Sequence, residues 1–497
     1  MPHPVSRRRA LGYLGISSGL LTIAPLLQAC SSAAPAASPA PAATAAKPAP
    51  TTVSASTPVP KPAPATAASQ AAQTVTLQIW TSSGGQWAGW MTQAYKADVG
   101  GFRTKFPNIK PDVHGVPGWT PAYFPKIFTL VSTGTPFDVV WYPPRHRSSL
   151  AWGVEYKIVR SLNDLMKANN YDPKKNFLPG TLAAQSWEGQ LYWFSYTGEP
   201  SVPIIGFNKT QIEKLGLSLP PGTVTAGSAP SGKLGMTGDW TYDDLIIWAK
   251  EATKAGFWGF SRGEAGTQPI GSTPELRQYG VPLIDNTGKK VDFPKEQFTS
   301  WLQYRWDLMW KWKVSPKSGS NSPSLFVDGK LLAIPGWPVT LNLWPKVLVK
   351  DKFEVAFRRM PVLHKGDRHR SMLNEHVNGI ASPRFCKHPQ EAFDYLKWIS
   401  SEEFALQGIL AGIGAPIARP DFWNNPKLYK FSPQEKLLQD LMLNIEPDTL
   451  VANWRGDQFE TVFGNDYQKL ELNKVTVDQA YTNIVKDCQA LLDQPPA

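Results

Sequence analysis

Thr74-Val-Thr-Leu-Gln-Ile-Trp-Thr-Ser-Ser-Gly-Gly85 opens the folded part of this chain, and Ser132-Thr-Gly-Thr-Pro-Phe-Asp-Val-Val-Trp141 closes the stretch that decides its fold. The first alternates polar and apolar residues as a half-buried strand does, and breaks at a polar Gly pair. Residues 90–106 have helical apolar spacing and stop at Phe106-Pro-Asn-Ile-Lys110. Residues 110–116 read as a second strand, 123–132 as a second helix, and 137–141 as a short buried strand. A β-α-β-α-β order implies a mostly parallel sheet with helices on both faces. Ligands of such sheets collect beyond the carboxyl ends of the strands, where Trp80 and Trp141 stand.

Upstream, Ser6-Arg-Arg-Arg-Ala-Leu-Gly12 precedes an apolar run that ends Leu27-Gln-Ala-Cys30. The charged start and the short, Gly/Ser-containing apolar core read as an export signal, too short for a permanent span. The segment resembles a twin-arginine signal joined to a bacterial lipoprotein box, which makes Cys30 the lipid acceptor. Residues 31–73 are almost entirely Ala, Pro, Ser and Thr, with Lys47 and Lys61 the only charges and no aromatic. Such a segment buries no core and reads as a disordered, semi-extended tether.

The formal net charge of the chain is +11; Arg7, Arg8, Arg9, Lys47 and Lys61 contribute five of these charges and residues 1–73 contain no acid, leaving +6 for the body. Its basic residues are scattered, without the aromatic-interleaved basic strip of a nucleic-acid groove, so no nucleic-acid partner is expected. Beyond Cys30 only Cys386 and Cys488 remain, which make neither a disulfide framework nor a Cys-rich metal site; the two could form one bridge or stay as separate thiols. His364, His369 and His376 do not have metal-ligand spacing. No metal or cofactor is expected.

The ordered segments of the body resemble extracellular solute-binding protein family 1, the sugar-binding receptors of ATP-driven importers. After Phe106-Pro-Asn-Ile-Lys110 and the stretch ending at Trp141 come Leu162-Asn-Asp-Leu165, Trp187-Glu-Gly-Gln-Leu-Tyr192, Gly206-Phe-Asn-Lys209, Pro220-Pro221 and Trp240-Thr-Tyr-Asp-Asp-Leu245. Phe326-Val-Asp-Gly-Lys330, Gly336-Trp337, Gly379-Ile-Ala381 and Val477-Asp-Gln-Ala480 follow in the family's order. A Gly/Ser/Thr-rich insertion at 223–238, read as a surface loop, and Met372-Leu-Asn-Glu-His376 depart from the family's pattern. The resemblance implies a two-lobed α/β fold of the periplasmic-binding-protein type (class II), each lobe a mostly parallel sheet flanked by helices, with the ligand in a cleft that closes at a hinge. The divisions this implies are a signal at 1–30, a tether at 31–73, and lobe one at 74–198 with its return at 376–425. Lobe two takes 199–375, and helices of 426–497 pack mainly on it. Hinge crossings are expected near residues 194–202 and 375–382.

A sugar offers C–H faces and hydroxyl edges, so its site needs aromatic planes and fixed polar groups. The aromatic candidates are Trp80, Trp141, Phe207, Trp337 in its stiff Pro335-Gly-Trp-Pro338 loop, and Trp454. The polar candidates are Ser82, Arg145, Glu199, Asn342, Glu375, Asn378 and Arg455. Trp301, Trp306, Trp310 and Trp312 read as a core stripe instead. The expected protein is a monomeric, non-catalytic, lipid-anchored receptor on the outer face of the cell membrane, or in the periplasm where the cell has two membranes. It captures a mono- or oligosaccharide and delivers it to the permease subunits of an ABC importer. Two alternatives stay open: a ligand-sensing lipoprotein with the same cleft, and an exported carbohydrate-active enzyme using Glu199 and Glu375 as its carboxylate pair.

Overall fold

The structure is a computed structural model that describes residues 74–494, except 83–85, 117–119, 143–152, 201–203, 233, 255, 262–268, 286–287, 321, 337–340, 342–344, 346–348, 350–351, 371–372, 411–415 and 446–455. The export signal, Cys30 and the tether lie outside the described residues. Among the described residues no helix is long and apolar enough to cross a membrane.

The first strand, β1 (Val75–Thr81), buries Leu77, Ile79 and Thr81 and turns Thr76, Gln78 and Trp80 toward the other face, as its alternation predicts. It pairs in parallel with β2 (Ile109–Gly115) and β3 (Val139–Tyr142). Between β1 and β2, the single helix expected over 90–106 is instead the helix Gln86–Lys96, a 3₁₀ turn Val99–Gly101 and a short helix Phe102–Lys105. Asp98, Gly100 and Gly101 all have positive φ, which no continuous right-handed helix accommodates. The Asp98 carboxylate then accepts from the Arg103 backbone N–H (2.6 Å) and the Thr104 hydroxyl, restarting the helix so that Phe102 stacks on Trp398 at 4.6 Å.

A small hairpin, β4 (Ser186–Trp187) with β5 (Gln190–Leu191), precedes β6 (Trp193–Pro200). The chain then leaves this sheet for β7 (Ile204–Asn208), the centre of a second sheet that also holds β8 (Val224–Thr225). A second hairpin, β9 (Leu283–Ile284) with β10 (Val291–Asp292), sits among the helices of this half. β11 (Ala333–Gly336) and β12 (Val355–Arg359) complete the second sheet, and β13 (Leu373–Ile380) returns to the first. The sheet orders are β2-β1-β3-β13-β6 and β11-β7-β12-β8.

The first sheet keeps the expected mostly parallel sense, with β2, β1, β3 and β6 running one way and β13 alone reversed, whereas the second sheet departs from it and corrects that part of the expectation. In the first, β13 runs antiparallel to both β3 and β6. In the second, every described pairing is antiparallel. The cause is connectivity: β7 and β13 enter their sheets directly from the other lobe and run against the strands beside them. The two-lobed α/β class is unaffected.

One core fills the first lobe around Leu77, Ile79, Phe137 and Trp193. A second packs one face of the second sheet against helices that include Lys295–Met309, Gly456–Glu471 and Val477–Leu492. The third packs Ile204, Ile334 and Phe357 against helices from 402–443. Trp301 is fully buried in the second core; the helix ends at Met309, so Trp310 and Trp312 fall beyond it. Cys386 lies in the first core and Cys488 in the second, both free and buried, so they do not pair.

The second core encloses one ion pair. Glu275 accepts from Arg305 Nη1 at 3.1 Å and from Trp301 Nε1 at 2.8 Å, and Arg305 Nε donates to the Tyr467 hydroxyl at 3.0 Å. Three helices are thereby locked together. Replacing Glu275→Ala leaves an uncompensated guanidinium in the core and is expected to cost about 3–5 kcal/mol, read as a lower urea midpoint; Glu275→Gln retains an acceptor and loses less.

Candidate functional site: the carboxyl edge of the first sheet

Because β1, β2 and β3 are parallel, their carboxyl ends share one edge of the sheet. Thr81 pairs with Gly115, Trp80 with Val140, and Tyr142 with Val377. The reversed strand β13 brings its amino end there, and β6, which runs in the sense of β3, brings its carboxyl end: Leu373 opposes Pro200, Asn374 opposes Glu199 and His376 opposes Thr197. It is from this edge that the chain passes from Pro200 to Ile204. In the second sheet Ile204 pairs with both Gly336 and Arg359, so the crossing also meets the end of β11, immediately before Trp337. The register thus gathers both hinge strands and the ends of five segments between the lobes.

The Tyr123 hydroxyl ties this edge together. It donates to the Trp80 carbonyl and accepts from the Trp141 backbone N–H, both at 3.0 Å, bridging the last turns of β1 and β3. Trp141 Nε1 donates to His376 Nδ1 at 3.2 Å, and the two rings stack at 25°. The Ser195 hydroxyl donates to the Thr197 carbonyl at 2.8 Å.

The remaining groups are buried, polar and uncharged. Ser82, Thr197 and Asn378 are 0 % exposed. Ser82 Oγ, Tyr142 Oη and both polar side-chain atoms of Asn378 have no protein hydrogen-bond partner among the described residues. Burial pushes the Tyr142 and Tyr196 hydroxyls far above their ordinary titration range, so both remain neutral donors. Native interiors satisfy nearly all such groups, so each of these calls for a partner from outside the protein's own atoms, such as water or a ligand.

The expected site residues separate into three sets. Ser82 and Asn378 lie at or near this edge, and Trp80, half-buried at the end of β1, packs against the first core and is stacked on His114 at 4.6 Å with Lys126 Nζ 5.1 Å from its ring. The backbones of Glu199 and Glu375 are also here, at register positions of opposite parity: 199 opposes 374, and 375 opposes 198. Trp141 and Phe207 are corrected: both are 0 % exposed and offer no face. Trp141 is walled in by Tyr123 at 4.9 Å and by His376, and Phe207 sits in a central strand with cores on both sides. Arg145, Trp337, Asn342, Trp454 and Arg455 lie outside the described residues. The edge also carries Tyr142, Thr197 and His376, which sequence reading did not single out; finding them requires the β3–β13–β6 register. Among the described residues no group of three His, Cys, Asp or Glu side chains could hold a metal ion.

The family description "bacterial extracellular solute-binding protein" matches residues 88–405, and the chain belongs to that family. No curated protein sequence matches it. Among solved structures it is similar to an ABC substrate-binding protein of Listeria monocytogenes in complex with cycloalternan (15% identity, TM-score 0.66, covering 84% of this chain and 99% of that one). It is also similar to maltose-bound MalE3 of T. maritima (20% identity, TM-score 0.65, 84% and 99%) and to a solute-binding protein of Agrobacterium vitis with bound D-mannitol (22% identity, TM-score 0.61, 84% and 97%). These likenesses establish the two-lobed fold of the chain, and the family establishes it as an exported solute-binding protein.

Asn378 gives a direct test of the unsatisfied edge. Asn378→Leu removes two buried, unpaired polar atoms at similar volume and is expected to raise the unliganded protein's stability by about 1 kcal/mol, measured by urea denaturation.

Proposed function

We propose that the protein captures a neutral polyhydroxylated solute, a mono- or oligosaccharide, between its lobes and delivers it to an ABC-type permease without chemically changing it. The observation that carries this reading is the composition of the inter-lobe edge. Buried hydroxyls and one amide with unused hydrogen-bonding capacity suit a ligand that is itself an array of hydroxyls. The bound cycloalternan, maltose and mannitol of similar structures are ligands of that chemistry.

In this reading Trp80 and Trp337 supply stacking faces, with Trp454 a third. Ser82, Asn378, Asn342, Arg145, Arg455, Glu199 and Glu375 supply hydrogen bonds. The lobes are residues 74–198 with 376–401, and 199–375 with the later helices; the expected boundary at 425 moves back because Ala405, Ile409, Phe422 and Trp423 pack with Ile204 and Phe357 of the second sheet. Ligand favours the closed arrangement by making contacts with both lobes that the open form lacks. The monomeric body is held to the outer face of the membrane through lipid on Cys30, and residues 31–73 give it reach to the permease.

The test is a thermal-shift and calorimetric screen of the purified protein against neutral sugars, sugar alcohols and sugar phosphates. A neutral sugar at 100 times its Kd is expected to stabilise the fold by about 2.7 kcal/mol. Response to phosphorylated ligands alone would overturn the neutral-solute reading. Trp337→Ala is expected to abolish the sugar-dependent shift while leaving the unliganded unfolding temperature near that of the parent.

A further inference from the structure

The insertion at 223–238 is not a free surface loop. Val224 and Thr225 form the edge strand β8 against β12, the Gly227 N–H donates to Gln434 Oε1 at 3.0 Å, and the Gly235 N–H donates to Asp440 Oδ2 at 3.0 Å. The insertion is thereby pinned across the second lobe. Between it and the end of β12 lies a cavity of about 340 Å³ lined by Gly222, Gly238, Asp239, Arg358, Arg359 and His369, among others. That volume is within the range of about 300–1,000 Å³ typical of small-molecule sites.

The lining has an excess of positive charge. Arg358 and Arg359 are 7 % and 6 % exposed, and His369 is 7 % exposed. Arg358 Nη2 pairs with Asp239 at 2.8 Å, but that carboxylate is 89 % exposed, and Arg358 also lies 4.8 Å from the Trp240 ring. Arg359 has no carboxylate in contact among the described residues. Its Nη1 donates to the Gly235 carbonyl at 2.6 Å and its Nε to the Leu437 carbonyl, leaving Nη2 buried without a partner. Burial pushes the Arg359 guanidinium down to about 10, and burial together with the two arginines pushes His369 down to about 4. The backbone is shaped to admit the guanidinium. Gly222 has φ +78°, and a Cβ there would lie 2.3 Å from Arg358 Nη1.

Two buried guanidiniums, of which only Arg358 touches a carboxylate, the solvated Asp239, while Asp244 and Asp440 act on them only at longer range, are beside a cavity the complement of a compact oxyanion. We propose that this pocket is a second ligand site, separate from the inter-lobe edge, that takes a phosphate group, either free or carried by a small metabolite. The chain's own insertion builds one wall of the site, and the paired arginines of β12 provide its charge. Asp239 holds Arg358 when the anion is absent and competes with it when present.

The test is titration of the purified full-length chain with inorganic phosphate, and separately with glycerol 3-phosphate, by calorimetry and thermal shift against chloride at equal ionic strength. Saturable binding of one equivalent is expected. Arg358→Gln is expected to weaken it about tenfold, as loss of one charge-assisted pair implies. Asp239→Asn, on an exposed side chain, is expected to tighten it about threefold by removing the competing carboxylate. Tighter binding of glycerol 3-phosphate than of phosphate identifies a carried phosphate group, and the reverse a free anion. Either result supports the site. No response beyond chloride, or equal affinity in both variants and the parent, overturns it. Binding that Trp337→Ala abolishes and Arg358→Gln leaves intact belongs to the inter-lobe edge and also overturns it. Circular dichroism and the unliganded unfolding temperature verify the fold of each variant independently of any sugar.

Discussion

The parallel run of β1, β2 and β3 is the constraint on which the rest of the molecule depends. Parallel strands must end together, and here their carboxyl ends meet at Thr81, Gly115 and Tyr142. The two further strands of that sheet, β6 in the same sense and β13 reversed, are the ones that connect to the other lobe, so both hinge strands emerge at the same edge. One Tyr123 hydroxyl then fixes the ends of β1 and β3 to each other. Lobe connection, strand termination and candidate site coincide because one hydrogen-bonded register forces them to.

The two lobes handle charge differently. The inter-lobe edge buries hydroxyls, an imidazole and an amide, several of them unsatisfied in the protein. The second lobe buries charge: Glu275 with Arg305 inside its core, and Arg358 and Arg359 beneath the insertion. The Glu275–Arg305 pair keeps its carboxylate inside the core, in contact with Arg305 and Trp301, and acts as a lock between helices. The β12 arginines are not balanced in this way, and this difference distinguishes a structural ion pair from a candidate anion site.

Much of the first lobe was legible in sequence. Alternation in β1, the Phe-Pro-Asn break and the short apolar β3 each lie within a few residues of where they were read, because each is a local signal. The helix over 90–106 was misread because three left-handed residues interrupt an apolar period that otherwise continues across them. The site was legible only in part. Trp80, Ser82 and Asn378 stand at or near the strand ends where the sequence reading puts them, and their contact with a ligand stays a proposal. Trp141 and Phe207 look identical to them in sequence, yet they are core.

The sequence alone determined the strand-and-helix order, the family resemblance, the Ala/Pro-rich, acid-free stretch before residue 74 and the absence of Cys-rich metal spacing, since all of these are properties of composition and local period. Only the tertiary structure decided which aromatic faces are covered, that the second sheet is antiparallel, that Cys386 and Cys488 belong to different cores, and that the insertion closes over two arginines. The physical reason is the same in each case. Burial and pairing depend on neighbours that lie far apart along the chain, as His376 does from Trp141 and Gln434 from Gly227. No local pattern encodes which distant segment will arrive.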